Sequence, residues 1–103
     1  MVKIYKKAVR DKIPLIIRGE GRDCEIENLS DEKFLPLLEE KLQEELDEYL
    51  EDKSLDELAD LLEIINRLII LKGSSLEELD QIRQKKKEKR GGFEKNILLL
   101  KVV

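Results

Sequence analysis

The chain has no histidine, no tryptophan and a single cysteine, and only two prolines and four Tyr or Phe residues in 103 positions. Without histidine, one chain cannot build a Ser-His-Asp triad, a Cys-His pair or a His-ligated zinc site. The lone Cys24 excludes an intrachain disulfide and a CxxC centre. It reads as a small packed or half-exposed thiol, compatible with a reducing cytoplasm. A GxxxxGK[ST] loop is also missing, which excludes a P-loop nucleotide hydrolase. No apolar run approaches the ~20 residues needed to span a bilayer. The longest, Leu61 to Leu71, is broken by Glu63, Asn66 and Arg67. Nothing at the N-terminus resembles a signal peptide, so a soluble cytoplasmic protein with no membrane partner is expected.

What the chain has in abundance is charge. Charged residues make up 43% and hydrophobic residues 41%, with a net charge of -4. Acids and bases fall on helical periods, the pattern of a salt-bridged helix surface, while the hydrophobic share is ample for a core. The negative balance argues against a nucleic-acid polymer as partner. The length fits one domain over residues 1–103.

Local signals divide the chain into helices. Pro14 near a first turn and Gly19 and Gly21 as stops predict a short helix from Ile13 to Arg18. Ser30 is an N-cap for a long helix over 31–52, whose inner stripe is Leu35, Leu38, Leu42 and Tyr49. Ser54 opens a helix from Leu55 to Leu71 that Gly73 closes, with Glu57 as capping-box partner. This helix is apolar almost all round, as a central bundle helix would be. Ser74 or Ser75 caps a further helix to Arg90, ended by Gly91-Gly92. Short β-leaning segments stand at both termini, Val2 to Tyr5 and Ile97 to Val103. The expected fold is mostly α, a small helical bundle around an antiparallel acidic hairpin, with short β segments at the termini.

The hairpin carries the chemistry. With Asp52 and Lys53 at its tip, level residues have numbers summing to 105, so Glu45 faces Asp60 and Glu48 faces Glu57. Residues three apart share a helix face, and two such rungs are about 4.5 Å apart along the axis. Four carboxylates converging from two helices repel unless a cation lies between them. Hard oxygen ligands suit Mg²⁺, or Mn²⁺, far better than zinc. Glu45 also takes a place in the stripe 35, 38, 42, 45, 49 where leucine is expected, and a lone buried carboxylate is costly. Bases for the outer oxygens of a metal-bound polyphosphate exist in Arg10, Lys12 and the run ending at Arg90. On the residues alone, a divalent-metal site stands beside a second reading: a helical interaction module whose acids are merely solvated.

Lys41-x-x-Glu44-Glu45-x-x-Glu48 followed by Glu57-x-x-Asp60 resembles the EExxE…ExxD signature of the MazG-like, all-α nucleoside triphosphate pyrophosphohydrolases. The stretches Val9-Arg10-Asp11-Lys12-Ile13-Pro14, Glu57-Leu58-Ala59-Asp60-Leu61-Leu62-Glu63 and Lys89-Arg90-Gly91-Gly92-Phe93 look closest to the phosphoribosyl-ATP pyrophosphohydrolase-like branch. The resemblance runs in order through nearly the whole chain. It implies Mg²⁺-dependent hydrolysis between the α- and β-phosphates of a nucleotide, giving a monophosphate and pyrophosphate. It puts Glu45, Glu48, Glu57 and Asp60 at metal-ligand positions and makes Glu44 an additional ligand or a residue orienting water; by ordinary general-base chemistry, Glu44 or Glu48 is the expected proton acceptor. Lys41 and Arg90, with Arg10 and Lys12 behind them, become phosphate contacts, and a homodimer or higher homo-oligomer is expected. The apolar tail Ile97 to Val103 independently points to association.

Overall fold

The computed structural model describes residues 2–103. Four helices follow in order: α1 (Ile13–Gly19), α2 (Asp31–Asp52), α3 (Leu55–Leu71) and α4 (Leu76–Arg90). Each of the last three begins at a serine whose hydroxyl accepts from the third residue on. Ser30 takes the N–H of Lys33 (3.3 Å), Ser54 that of Glu57 (3.4 Å) and Ser75 that of Glu78 (3.1 Å). Acids follow each cap in the first turn, where the helix dipole favours them. α3 ends in a paired-carbonyl turn. Gly73 donates to Ile70 and Ser74 reaches back to Ile69, a geometry that needs the left-handed φ of 78° that glycine adopts at no steric cost.

α2 and α3 form the antiparallel hairpin, turning through Lys53, which takes a left-handed conformation (φ 60°) between Asp52 and the Ser54 cap. Leu38, Ile64 and Leu68 are buried at the end of the hairpin away from this tip, with Phe34, Leu35, Leu42 and Leu71 packed around them. That apolar clamp fixes the register of the two helices, and the register in turn levels the acids nearer the tip. α4 meets α3 near the turn that joins them and touches no other helix, and every residue of α4 is exposed. α1 packs against none of the other helices.

Two expectations are corrected. The terminal β segments are absent: among the described residues there is no strand. A strand exists only by pairing, and neither Val2 to Tyr5 nor Ile97 to Val103 finds an edge to pair with, so their side chains stand in solvent. The helix Leu55–Leu71 is also not enclosed on all sides. α2 covers one side, while Leu58, Leu62 and Ile70 remain exposed. No helix among the described residues is long and apolar enough to cross a membrane.

Candidate functional site

The acids that the hairpin register levels do meet. Oxygens of Glu45, Glu57 and Asp60 lie within 4.8 Å of one another, and so do oxygens of Glu44, Glu45 and Glu48, so Glu45 belongs to both sets. Glu45 is 6% exposed, the only charged side chain buried to that degree among the described residues. Its Oε1 receives the Lys41 ammonium at 3.2 Å. Its Oε2 is buried without a hydrogen-bond partner, as is Oε2 of Glu57. Buried carboxylate oxygens are ordinarily satisfied, because an orphaned one costs on the order of 1–3 kcal/mol or more. Two of them turned into one acidic cluster are what a hard cation would complete. The donor set, oxygen only and drawn from two rigid helices, fits Mg²⁺ or Mn²⁺.

Glu57 takes only half of the capping box. Its N–H bonds Ser54 Oγ, yet its carboxylate is spent on the cluster side, with Oε2 unpartnered. Capping therefore accounts for its backbone and not for its acid.

The electrostatics follow from who sits beside whom. Burial raises the Glu57 carboxyl, and the charges of Glu48, Glu45 and Asp60 add to it, to about 7. Glu48 is raised as well, first because the protonated carboxyl can donate to the adjacent Glu45 carboxylate and then by that neighbour's charge. Glu44 goes the other way. Burial pushes it up, but the bond from Lys7 and the charges of Lys41 and Lys7 outweigh that and hold it low. Burial pulls the Lys41 ammonium down, and the bond to Glu45 and the charges of Glu44 and Glu45 override it.

Of the bases named from the sequence, Lys41 and Arg10 reach the cluster. Lys41 lies against Glu44 at 3.5 Å as well as Glu45. The Arg10 guanidinium donates to Asp60 Oδ1 at 2.6 Å. Lys12 caps α1 and its side chain is exposed. Arg90 stands at the end of α4, exposed, with no ion pair to the cluster among the described residues. Lys7, which sequence reasoning missed, donates to Glu44 Oε1 at 3.2 Å. Between Lys7 and Arg10, Ala8 is 5% exposed, so the segment is seated against the hairpin and lays one cation on an acid of each helix. The Lys6-Lys7 pair carried no periodic signal, because an extended segment is placed by long-range contacts alone.

Comparison with known proteins adds no relative: no family model matches the chain, and neither a curated protein nor a solved structure matches it.

Proposed function

We propose that the protein is a Mg²⁺-dependent nucleotide pyrophosphohydrolase of the MazG-like, phosphoribosyl-ATP pyrophosphohydrolase-like kind, acting in the cytoplasm as a homo-oligomer. The observation that carries the reading is the pair of buried, unpartnered carboxylate oxygens on Glu45 and Glu57, level with Asp60 and Glu48. A solvated acidic surface has no reason to bury them. Glu45, Glu48, Glu57 and Asp60 would hold the metal. When bound, it would neutralise phosphate charge and lower the pKa of a coordinated water.

The chain's own residues divide the remaining work. Lys41 and Arg10 already lie beside the acids as cations, and each can turn to a phosphate oxygen that brings more charge than one carboxylate. Arg10 presents the planar fork that suits phosphate. Of the two candidate proton acceptors, Glu44 is held by Lys7 and Lys41, whereas Glu48 makes no salt bridge among the described residues. Glu48 is therefore the better-placed base, and Glu44 orients the lysines. As the water oxygen bonds to one phosphorus of the α–β anhydride, its proton would pass to Glu48. The P–O bond from that phosphorus to the bridging oxygen would break with its electron pair leaving on that oxygen, and monophosphate and pyrophosphate would separate. The test is Glu48→Gln against Glu44→Gln on a panel of nucleoside triphosphates and phosphoribosyl-ATP. Glu48→Gln should abolish turnover while leaving metal binding weakened but measurable, and Glu44→Gln should retain a fraction of it. Inactivity of the wild type across the panel would favour the second reading, a non-catalytic oligomeric or nucleotide-binding helical module.

A further inference from the structure

Three cations lie on the acidic cluster, and they are held in two different ways. Lys41 stands on α2 itself, one turn before the acids it meets, Glu44 and Glu45, so the helix keeps it there. Lys7 and Arg10 come from the segment ahead of α1, which forms neither helix nor strand. Lys7 donates to Glu44 on α2 at 3.2 Å, and Arg10 donates to Asp60 on α3 at 2.6 Å. Three residues of extended chain reach about 10 Å, which matches the roughly 8–10 Å between packed helices. The segment therefore straps the hairpin, with one cation on each helix and Ala8 buried between them.

What the strap supplies is charge. Glu44, Glu45, Glu48, Glu57 and Asp60 crowd together, and Lys41 offsets only one of them. Lys7 and Arg10 together carry the charge of one divalent ion, and they sit on acids whose oxygens lie within 4.8 Å of Glu45. Their grip is weak. The four side chains of these two ion pairs are between 36% and 56% exposed, and pairs so open to water contribute little. The strap is also incomplete as a counter-ion. Neither of its cations bonds Oε2 of Glu45 or of Glu57, the two buried oxygens left without a partner. An ion small enough to enter between the helices reaches them, competes with Arg10 for Asp60, and repels both cations.

We propose, on the metal reading of the cluster, that residues 7–10 are a built-in counter-ion that a divalent metal displaces. Lys7 and Arg10 hold the acids together while the site is metal-free, and they let go of Glu44 and Asp60 as the ion binds. The exchange sets an order: two cations freed beside a newly filled metal site face the anion that arrives next, so phosphate meets them only after the metal has bound. The opposing account is a permanent brace between α2 and α3, and the two differ in sign. Removing a competitor tightens metal binding, whereas removing a brace lets the helices part and loosens it.

Calorimetric titration with Mn²⁺ alone separates them. Lys7→Ala and Arg10→Ala are each expected to bind Mn²⁺ more tightly than the wild type, Arg10→Ala by up to roughly thirtyfold and Lys7→Ala by severalfold. Acetic anhydride labelling of the wild type, mapped by mass spectrometry, reads the release itself. Lys6 is exposed and serves as the internal standard. Lys7 is expected to react more slowly than Lys6 without metal, and at a similar rate in saturating Mg²⁺. That measurement uses the unaltered chain, so it decides the matter even where a variant fails to fold. Metal that binds while Lys7 stays protected, or that binds neither variant better than the wild type, would overturn the exchange and leave the metal site standing. If neither the wild type nor the variants bind Mn²⁺, the metal reading itself falls, and the exchange with it.

Discussion

Replacing Glu45 by glutamine keeps the side chain's shape and removes the charge shared by both halves of the acidic cluster. Without metal the effects oppose each other. The variant weakens the 3.2 Å contact from Lys41 but relieves repulsion from Glu48 and Glu57, so its stability should stay within about 1 kcal/mol of the wild type. With metal the two proteins should part. A ligand at a hundred times its Kd stabilises the folded state by about 2.7 kcal/mol. In a domain of this size that raises Tm by roughly 10–20 °C. Glu45→Gln loses the central ligand and should show a rise of no more than a few degrees at the same Mg²⁺ or Mn²⁺ concentration. Thermal unfolding by circular dichroism across a metal titration measures both, with NaCl at matched and higher ionic strength as the control for simple screening. An unchanged wild-type Tm, or an equal rise in the variant, would refute the argument from the orphaned oxygens.

Arg10→Ala removes the cation bound to Asp60. It should lower stability by less than about 1 kcal/mol and tighten metal binding by up to roughly thirtyfold, the effect of one unit charge on a divalent ion near 4 Å in water, while weakening nucleotide binding. Metal-free stability should depend on pH through Glu57, raised from 4.5 to about 7. Below about pH 4.5 both states hold the proton, and between there and about 7 only the folded state does, so this contribution falls as pH rises through that window and then levels. Glu57→Gln should flatten the slope in melts at pH 5 to 8. Metal affinity should rise over the same window, because the ligand binds deprotonated. Arg90 stands apart from the acids within the chain, so Arg90→Lys and Arg90→Ala should both fold normally and keep turnover close to the wild type. Equal kinetics in Arg90→Lys and Arg90→Ala would leave it only a cation at a helix end.

The parts of the molecule set by neighbours in sequence were readable before any coordinates. Ser30, Ser54 and Ser75 announce their helices because a cap is a local bond, and the hairpin's levels follow once a tip this short, Lys53 and Ser54 between the two helices, leaves them no alternative register. Glu45 stood out because it breaks an apolar stripe. What stayed hidden depends on distant contacts. Lys7 reaches Glu44 across 37 positions from a segment with no period. The departure of α4 from the hairpin, which strands Arg90 away from the acids, is decided by packing that its own pattern of Leu76, Leu79 and Ile82 does not record. The tail Ile97 to Val103 stands exposed: its β-leaning pattern is local, whereas a strand needs an edge to pair with, and one chain offers it none.

The most direct measurement is product analysis with a nucleoside triphosphate and Mg²⁺ in ¹⁸O-labelled water. Cleavage of the α–β anhydride predicts nucleoside monophosphate and pyrophosphate in equal amounts, with the label in one of them and none in free orthophosphate. Nucleoside diphosphate and labelled orthophosphate as first products would mean attack at the γ-phosphate and would contradict the account.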